Sequence, residues 1–302
     1  MSSEPKPHSA EYFGDQRDFW WNRDFIDLMA KRWQLAEART VLDVGSGVGH
    51  WSRVLAPFLS PDAALTGLER EPKWVAEAQW RAQAAGLSGR LRYQQGDALA
   101  LPFADDSFDL VTCQTLLIHL PDARAGLVEM LRVLKPGGLL AVAEPNNFGS
   151  AFILGSTRFG DPLEALLRLA GLQIACERGK AALGEGHNSI GELLPGFFSE
   201  LGLTGLQVYQ SDRATWLVPP YETASEQANL RQSLEWDERD FHLWGHDETR
   251  RYFLAGGGQA SQFDSLWAET RATDQRIAAA LRARTEHQAG GGAHYLVSGR
   301  KP

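Results

Sequence analysis

Cysteine is almost missing from this chain. Two occur in 302 residues, Cys113 and Cys176, both in apolar stretches and neither in CxxC or zinc-finger spacing. That argues against a disulfide framework or a cysteine zinc site and suits a reduced, cytoplasmic compartment. Long apolar runs are missing as well, since none approaches the roughly 20 residues that cross a bilayer. The segment Met1–Ala10 is polar and contains prolines, without the basic start and apolar run of a secretory leader. A soluble protein that does not engage membranes is therefore expected. Basic residues are outnumbered, with 30 Lys and Arg against 38 Asp and Glu and a net charge of -8. Such a field repels phosphate backbones, and no dense Lys/Arg run offsets it, so nucleic acid is not an expected partner. Internal repeats and low-complexity tracts are also lacking.

What remains is an ordinary globular composition, 43% hydrophobic and 23% charged, with a clear order of elements. Residues 1–14 read as a flexible arm. An amphipathic helix follows from Asp15, with Phe25, Met29 and Trp33 recurring at i+4. Short apolar strands are expected at Thr40–Val44, Leu65–Leu68, Leu91–Gln94, Phe108–Cys113 and Leu139–Ala143. Helices between them run from about Trp51 to Leu59, Glu71 to Ala85 and Ala123 to Leu134, the last stopped by Lys135-Pro136-Gly137-Gly138. That alternation predicts a parallel sheet covered on both faces. Beyond Glu144 the rhythm loosens. Asp161-Pro162-Leu163-Glu164 has the form of a capping box, a further helix ends near Leu201-Gly202, and Thr204–Gln210 is a strand. Residues 221–289 are helical and rich in aromatics, Gly290-Gly291-Gly292 breaks the last helix, and His294–Ser298 closes as a strand.

The chemistry concentrates at strand ends. Val41-Leu42-Asp43-Val44-Gly45-Ser46-Gly47-Val48-Gly49 is a strand entering a glycine loop that opens a helix. There, backbone can approach a ligand and free N–H groups face it. Position 50, where a dinucleotide fingerprint wants its third glycine, is His50. Asp43 would repel a pyrophosphate but attract a cationic amino group. Glu69 ends the second strand, where a carboxylate can accept both ribose hydroxyls, and Asp97 in Gln95-Gly96-Asp97-Ala98 can accept from an adenine amine. Each acid alone has a bland alternative, a solvated helix start for Glu69 and a turn Asp for Asp97. Three acids at three consecutive strand ends beside a glycine loop make a constellation.

On these residues the sequence resembles class I S-adenosylmethionine-dependent methyltransferases, especially the small-molecule branch with the ubiquinone/menaquinone-type enzymes. Leu101-Pro102-Phe103, Asp106-Ser107-Phe108-Asp109 and Leu131-Arg132-Val133-Leu134-Lys135-Pro136-Gly137-Gly138 carry the resemblance further, and it covers residues 40 to 146. It implies that Asp43 and Gly45, Ser46, Gly47 and Gly49 hold the methionine portion of the cofactor. Glu69, with Arg70 beside it, would serve the ribose, Gly96, Asp97 and Ala98 the adenine, and Gln114 the methionyl end. It also implies an antiparallel pair, Thr204–Gln210 with His294–Ser298, at one end of the sheet. The mostly helical stretch 221–289 between those strands departs from the family pattern.

The expected fold is α/β, a doubly wound, mostly parallel seven-stranded sheet of the Rossmann-like methyltransferase kind with an added helical cap. Its segments would be 1–38, arm and cap helix; 39–146, cofactor-binding core; 147–187, helical insertion; 188–220, last core helix and sixth strand; 221–290, helical lid or substrate region; and 291–302, final strand. The expected function is methyl transfer from S-adenosylmethionine, leaving S-adenosylhomocysteine, to an oxygen, nitrogen or carbon of a small apolar or aromatic acceptor. A nicotinamide-dependent oxidoreductase and a non-catalytic cofactor-binding protein are the alternatives. His119 is a candidate general base, with a packed loop histidine as the other reading, and His50 a candidate at the cofactor. His242 and His246, four apart, would share a helix face for a metal, but Gly245 weakens that helix and no metal is expected. Trp20, Trp21, Trp236, Phe241, Trp244, Tyr252 and Phe253 are either core or the wall of a substrate pocket under a lid.

Overall fold

The structure, a computed structural model, describes residues 13–291 and 293–302. Most of the expected arm therefore lies outside the described residues. The strands are β1 (Thr40–Val44), β2 (Ala64–Glu69), β3 (Leu91–Gln95), β4 (Phe108–Gln114), β5 (Leu134–Asn146), β6 (Thr204–Gln210), β7 (Thr215–Leu217), β8 (Gln288–Gly290) and β9 (Ala293–Arg300). The α-helices are α1 (Arg23–Trp33), α2 (His50–Leu55), α3 (Pro72–Ala84), α4 (Ala123–Val133), α5 (Leu163–Ala182), α6 (Leu194–Glu200), α7 (Ala224–Glu238), α8 (His246–Ala255) and α9 (Ala260–Arg282). The chain folds as two compact units. One is an α/β unit of Trp21–Asn146, Gly186–Asp212 and Ala293–Pro302, and the other a helical unit of the described residues of Met1–Trp20, Asn147–Glu185 and Arg213–Gly292.

The α/β unit is built on a seven-stranded sheet in the order β3-β2-β1-β4-β5-β9-β6. The first five strands are parallel, and β9 runs antiparallel to both neighbours, as expected. Strand alternation sorts the apolar residues to two faces. Val41, Leu65, Leu91 and Leu110 pack with Met29 and Trp33 of α1 and with Trp51 and Ala78. Leu42, Val44, Val111 and Val142 pack on the other face with Leu127 and Met130 of α4 and Phe198 of α6. Helices on both faces make the sheet doubly wound. The order turns back between β1 and β4, and the carboxyl ends of those two strands flank the crevice where such sheets bind ligands.

Three expected boundaries change. The helix placed from Asp15 begins at Arg23, because Asn22 is extended (φ -74°, ψ 131°) and breaks the helical ladder. Lys135-Pro136-Gly137-Gly138 belongs to β5 rather than to a connecting turn, and the register shifts between Phe108 and Leu110 to absorb it. Asp161 does not cap α5, since both of its oxygens bond Arg276 at 3.0 and 2.8 Å and the helix starts without a side-chain cap.

The helical unit has its own core, in which Trp244, Tyr252, Phe253 and Phe263 pack with Leu172 and Cys176 of α5. Helices α5 and α8 approach so closely that a Cβ on Gly179 would lie 1.7 Å from the Tyr252 carbonyl oxygen. A capping box starts α7, with Thr223 accepting from the Glu226 N–H and Glu226 accepting from that of Thr223. The last helix, α9, ends at Arg282, and β7 and β8 pair as a short antiparallel ribbon, so Gly290 closes a strand rather than a helix. Among the described residues no helix is long and apolar enough to cross a membrane.

Candidate active site

From the end of β1 the chain turns through Gly45-Ser46-Gly47-Val48-Gly49 into α2. Gly45, Gly47 and Gly49 have φ of +67°, +53° and +76°, the left-handed region that glycine enters without strain. At Gly49 a side chain is also excluded sterically, because a Cβ would lie 2.2 Å from the Tyr93 hydroxyl oxygen. That hydroxyl donates to the Gly49 carbonyl at 3.4 Å, and burial holds its pKa above the usual tyrosine value. Tyr93 on β3 thus supports the loop from beneath.

The acids hold this loop in place. Glu69 accepts from the Gly47 N–H through Oε2 at 3.0 Å and from the Glu71 N–H through Oε1 at 2.9 Å, tying the glycine loop to the end of β2. Each oxygen keeps a second lone pair for a ligand. Asp43 is 3% exposed, and its Oδ2 accepts from the Ser52 N–H at 3.0 Å and from the Ser52 hydroxyl, which anchors α2. Asp97 is exposed, and its Oδ1 accepts from Leu99 N–H at 2.9 Å, a turn geometry that leaves its other oxygen for a ligand. Ala98 is buried beside it, and a Cβ on Gly96 would meet the Leu68 side chain at 2.5 Å. Arg70 projects its side chain outward, 75% exposed, 3.5 Å from Glu71, and its carbonyl accepts from Gln95 at 3.0 Å.

Across the switch point, Gln114 ends β4 and is 3% exposed, its Oε1 3.0 Å from His50 Nδ1. The residue that breaks the dinucleotide fingerprint therefore fixes Gln114. Two buried polar atoms here have no hydrogen-bond partner in the chain, Ser46 Oγ and Gln114 Nε2. A buried hydroxyl or amide without a partner costs about 1–3 kcal/mol, so such atoms mark where a ligand's polar groups belong. One lies after β1 and the other at the end of β4. A glycine cradle and orphaned donors at a sheet's switch point fit an amino-acid-bearing nucleoside.

Sequence reasoning missed Glu144. It is fully buried on β5 and accepts from the N–H groups of Leu116, Leu117 and Ile118 at 2.8, 2.9 and 3.4 Å, with the Cys113 thiol at 3.6 Å. Burial pushes its carboxyl up to about 7 against the pull of those amides. It thereby anchors the short turn Leu117–His119 that follows β4 and carries the half-buried His119. The available signal was a carboxylate closing the apolar run Leu139–Ala143.

In the helical unit His242 and His246 do not share a helix. His246 opens α8 and contacts Asp247 at 2.8 Å, while His242 precedes it and lies 3.1 Å from Asp274. Among the described residues no three His, Cys, Asp or Glu side chains are grouped to hold a metal. Of the seven aromatics singled out from sequence, Trp244, Tyr252 and Phe253 are core of this unit, and Trp21 of the α/β unit packs on Trp51 at 5.2 Å.

Residues 42–142 match the family model described as a methyltransferase domain. The uncharacterized methyltransferase YcgJ of Bacillus subtilis is 35% identical over 134 residues, 44% of this chain and 51% of the relative. The demethylmenaquinone methyltransferase of Geobacillus kaustophilus is 33% identical over 137 residues, 44% of this chain and 56% of the relative. The match thus spans about half the length of these curated relatives. The crystal structure of YcgJ has the same fold, with a TM-score of 0.52 at 21% identity over 93% of this chain and 99% of that one. Over residues 42–142 the chain is thus similar to a methyltransferase domain, and the likeness to YcgJ extends to its fold.

Proposed function

We propose that this chain transfers a methyl group from S-adenosylmethionine to a small, apolar or aromatic molecule. The observation that carries the proposal is the cradle at the β1/β4 switch point, whose buried Ser46 Oγ and Gln114 Nε2 find no partner in the chain. Bound S-adenosylmethionine supplies a sulfonium methyl open to in-line attack. The chain's own part is positional. The left-handed glycines bring backbone against the methionine portion, and Asp43 offers negative charge to its amino group. Glu69 has lone pairs left for the ribose hydroxyls, and Asp97 with Ala98 bounds the adenine. Arg70 lies beside the ribose end, and Gln114 faces the methionyl end. His119, on the turn that Glu144 anchors, is a candidate for accepting a proton from the acceptor. Holding an acceptor in line at near contact supplies much of the acceleration.

One relative is named for demethylmenaquinone, and only the class is carried over here, a small-molecule acceptor. The net charge of -8 argues in the same direction, against nucleic acid. The test has two arms. Calorimetry with S-adenosylhomocysteine, NAD and NADP should show saturable binding of the first alone. Label from S-adenosylmethionine should pass to members of a small-molecule panel, with EDTA leaving the rate unchanged. Tight NAD binding without S-adenosylhomocysteine binding, or methylation only of RNA, DNA or folded protein, would sink the proposal.

A further inference from the structure

We infer that the helical unit contains a binding site of its own for a small carboxylate-bearing molecule with a compact apolar body. Helices α5 and α9 and the segment between α7 and α8 enclose a cavity of about 180 Å³. Its apolar wall is Leu169, Leu172, Leu243, Trp244 and Ile277. Arg158, on the turn before α5, also lines it, and its Nε and Nη2 atoms are buried with no hydrogen-bond partner. These two nitrogens form one edge of the guanidinium. Their N–H bonds run parallel, the arrangement that grips both oxygens of a carboxylate. Buried donors of a charged group without acceptors are costly, so an acceptor pair is what the site lacks.

The chain's neighbouring carboxylates are engaged elsewhere. Asp274, which lines the same cavity, bonds Arg271 at 2.8 Å and His242 at 3.1 Å. Asp161, close enough to feel the charge of Arg158, is held by both terminal nitrogens of Arg276. Glu286 accepts from Ser156 and from the Thr157 N–H, each at 3.0 Å. The buried guanidinium edge of Arg158 is thus left without an acceptor, its natural partners nearby already taken. A single negative charge on a compact apolar body balances one guanidinium. Phosphate would bring more charge beside Asp274 and nothing to cover Leu172 and Trp244. The volume is that of roughly one aromatic ring with its substituent, somewhat above an apolar cavity of about 150 Å³ known to take benzene.

The test uses the full chain, with benzoate as the probe and benzamide and inorganic phosphate as controls at constant ionic strength. Calorimetry should show one benzoate per chain, roughly millimolar or tighter as befits so few atoms. Benzamide and phosphate should each bind at least about tenfold more weakly, the lower end of what hydrogen bonds to a charged group contribute. Arg158→Met should weaken benzoate by the same factor or more without lowering the melting temperature, and Arg158→Lys should fall between. Leu169→Trp, which keeps the charge and fills the cavity, should abolish binding, and it decides the matter if Arg158→Met does not fold. Absence of saturable benzoate binding, benzamide or phosphate binding as well as benzoate, or undiminished binding in folded Arg158→Met or Leu169→Trp would overturn the inference. No arm uses S-adenosylmethionine, so the outcome is separate from that of the methyl-transfer proposal.

Discussion

Two carboxylates show how differently one residue type is used within a single site. Glu69 is half-buried and ties Gly47 and Glu71 together at the end of β2. Glu69→Ala should weaken S-adenosylhomocysteine binding by about 1.5–3 kcal/mol, the range for hydrogen bonds to a charged group. Calorimetry on the folded variant reads this directly, and unchanged affinity would remove Glu69 from the site. Glu144 is its opposite, closed off from water and raised to about 7 by burial. In the unfolded chain it ionises near the ordinary value of about 4.3. Between that pH and about 7 the folded chain therefore holds the extra proton. The contribution of Glu144 is full below the unfolded value, falls as pH rises through that window, and is level above it. Melting curves of the wild type and Glu144→Gln from pH 4 to pH 8 should show this slope in the wild type and its loss in the variant. A difference between the two that does not vary with pH would mean that Glu144 does not titrate as described.

At the scale of elements, close packing overrules local propensity. Gly179 sits inside α5, where alanine is favoured over glycine by about 1 kcal/mol. A methyl there would strike the Tyr252 carbonyl on α8 at 1.7 Å. Overpacking costs about 1–3 kcal/mol, so Gly179→Ala should destabilise the protein despite its better propensity, measured as a lower denaturation midpoint with unchanged slope. The same contest explains what was legible in the sequence. β1 and β6 were readable to the residue, β1 as a short apolar, β-branched run before a glycine loop and β6 as the alternation Leu206-Gln207-Val208 after Gly202. The glycine loop was readable because its left-handed turns at Gly45, Gly47 and Gly49 call for glycine. Asp161 as a cap was not, since its partner Arg276 lies 115 residues away. Glu144 was hidden for the same reason, its amide partners lying on another strand's loop. The α7 capping box is a local signal, Thr223 to Glu226, and was overlooked.

Over the whole molecule, the backbone passes between the two units five times, at 20/21, 146/147, 185/186, 212/213 and between 291 and 293. Neither unit is a continuous stretch of chain, so no single truncation removes one and spares the other. Deletion of residues 293–302 is the sharpest case. It removes β9, which pairs with β5 on one side and β6 on the other, and so leaves β6 without a partner and β5 paired with β4 alone. The truncated chain should aggregate and lose its cooperative melting transition. A soluble, cooperatively melting product would show that β9 is dispensable. The placement of β9 also sets an order of events in time. Its pairing with β5 joins Leu139 to Arg300, a far longer closure than any between the first five strands, which meet over tens of residues. Long closures are entropically slow, and the parallel core can assemble before them. Leu296, fully buried on β9, should then report on a late step. Leu296→Ala should speed unfolding while leaving the refolding rate nearly unchanged, as read from the two arms of a chevron plot. Until that strand docks, β5 presents an open edge, and a nascent chain paused short of residue 293 would be a template for joining its neighbours rather than itself.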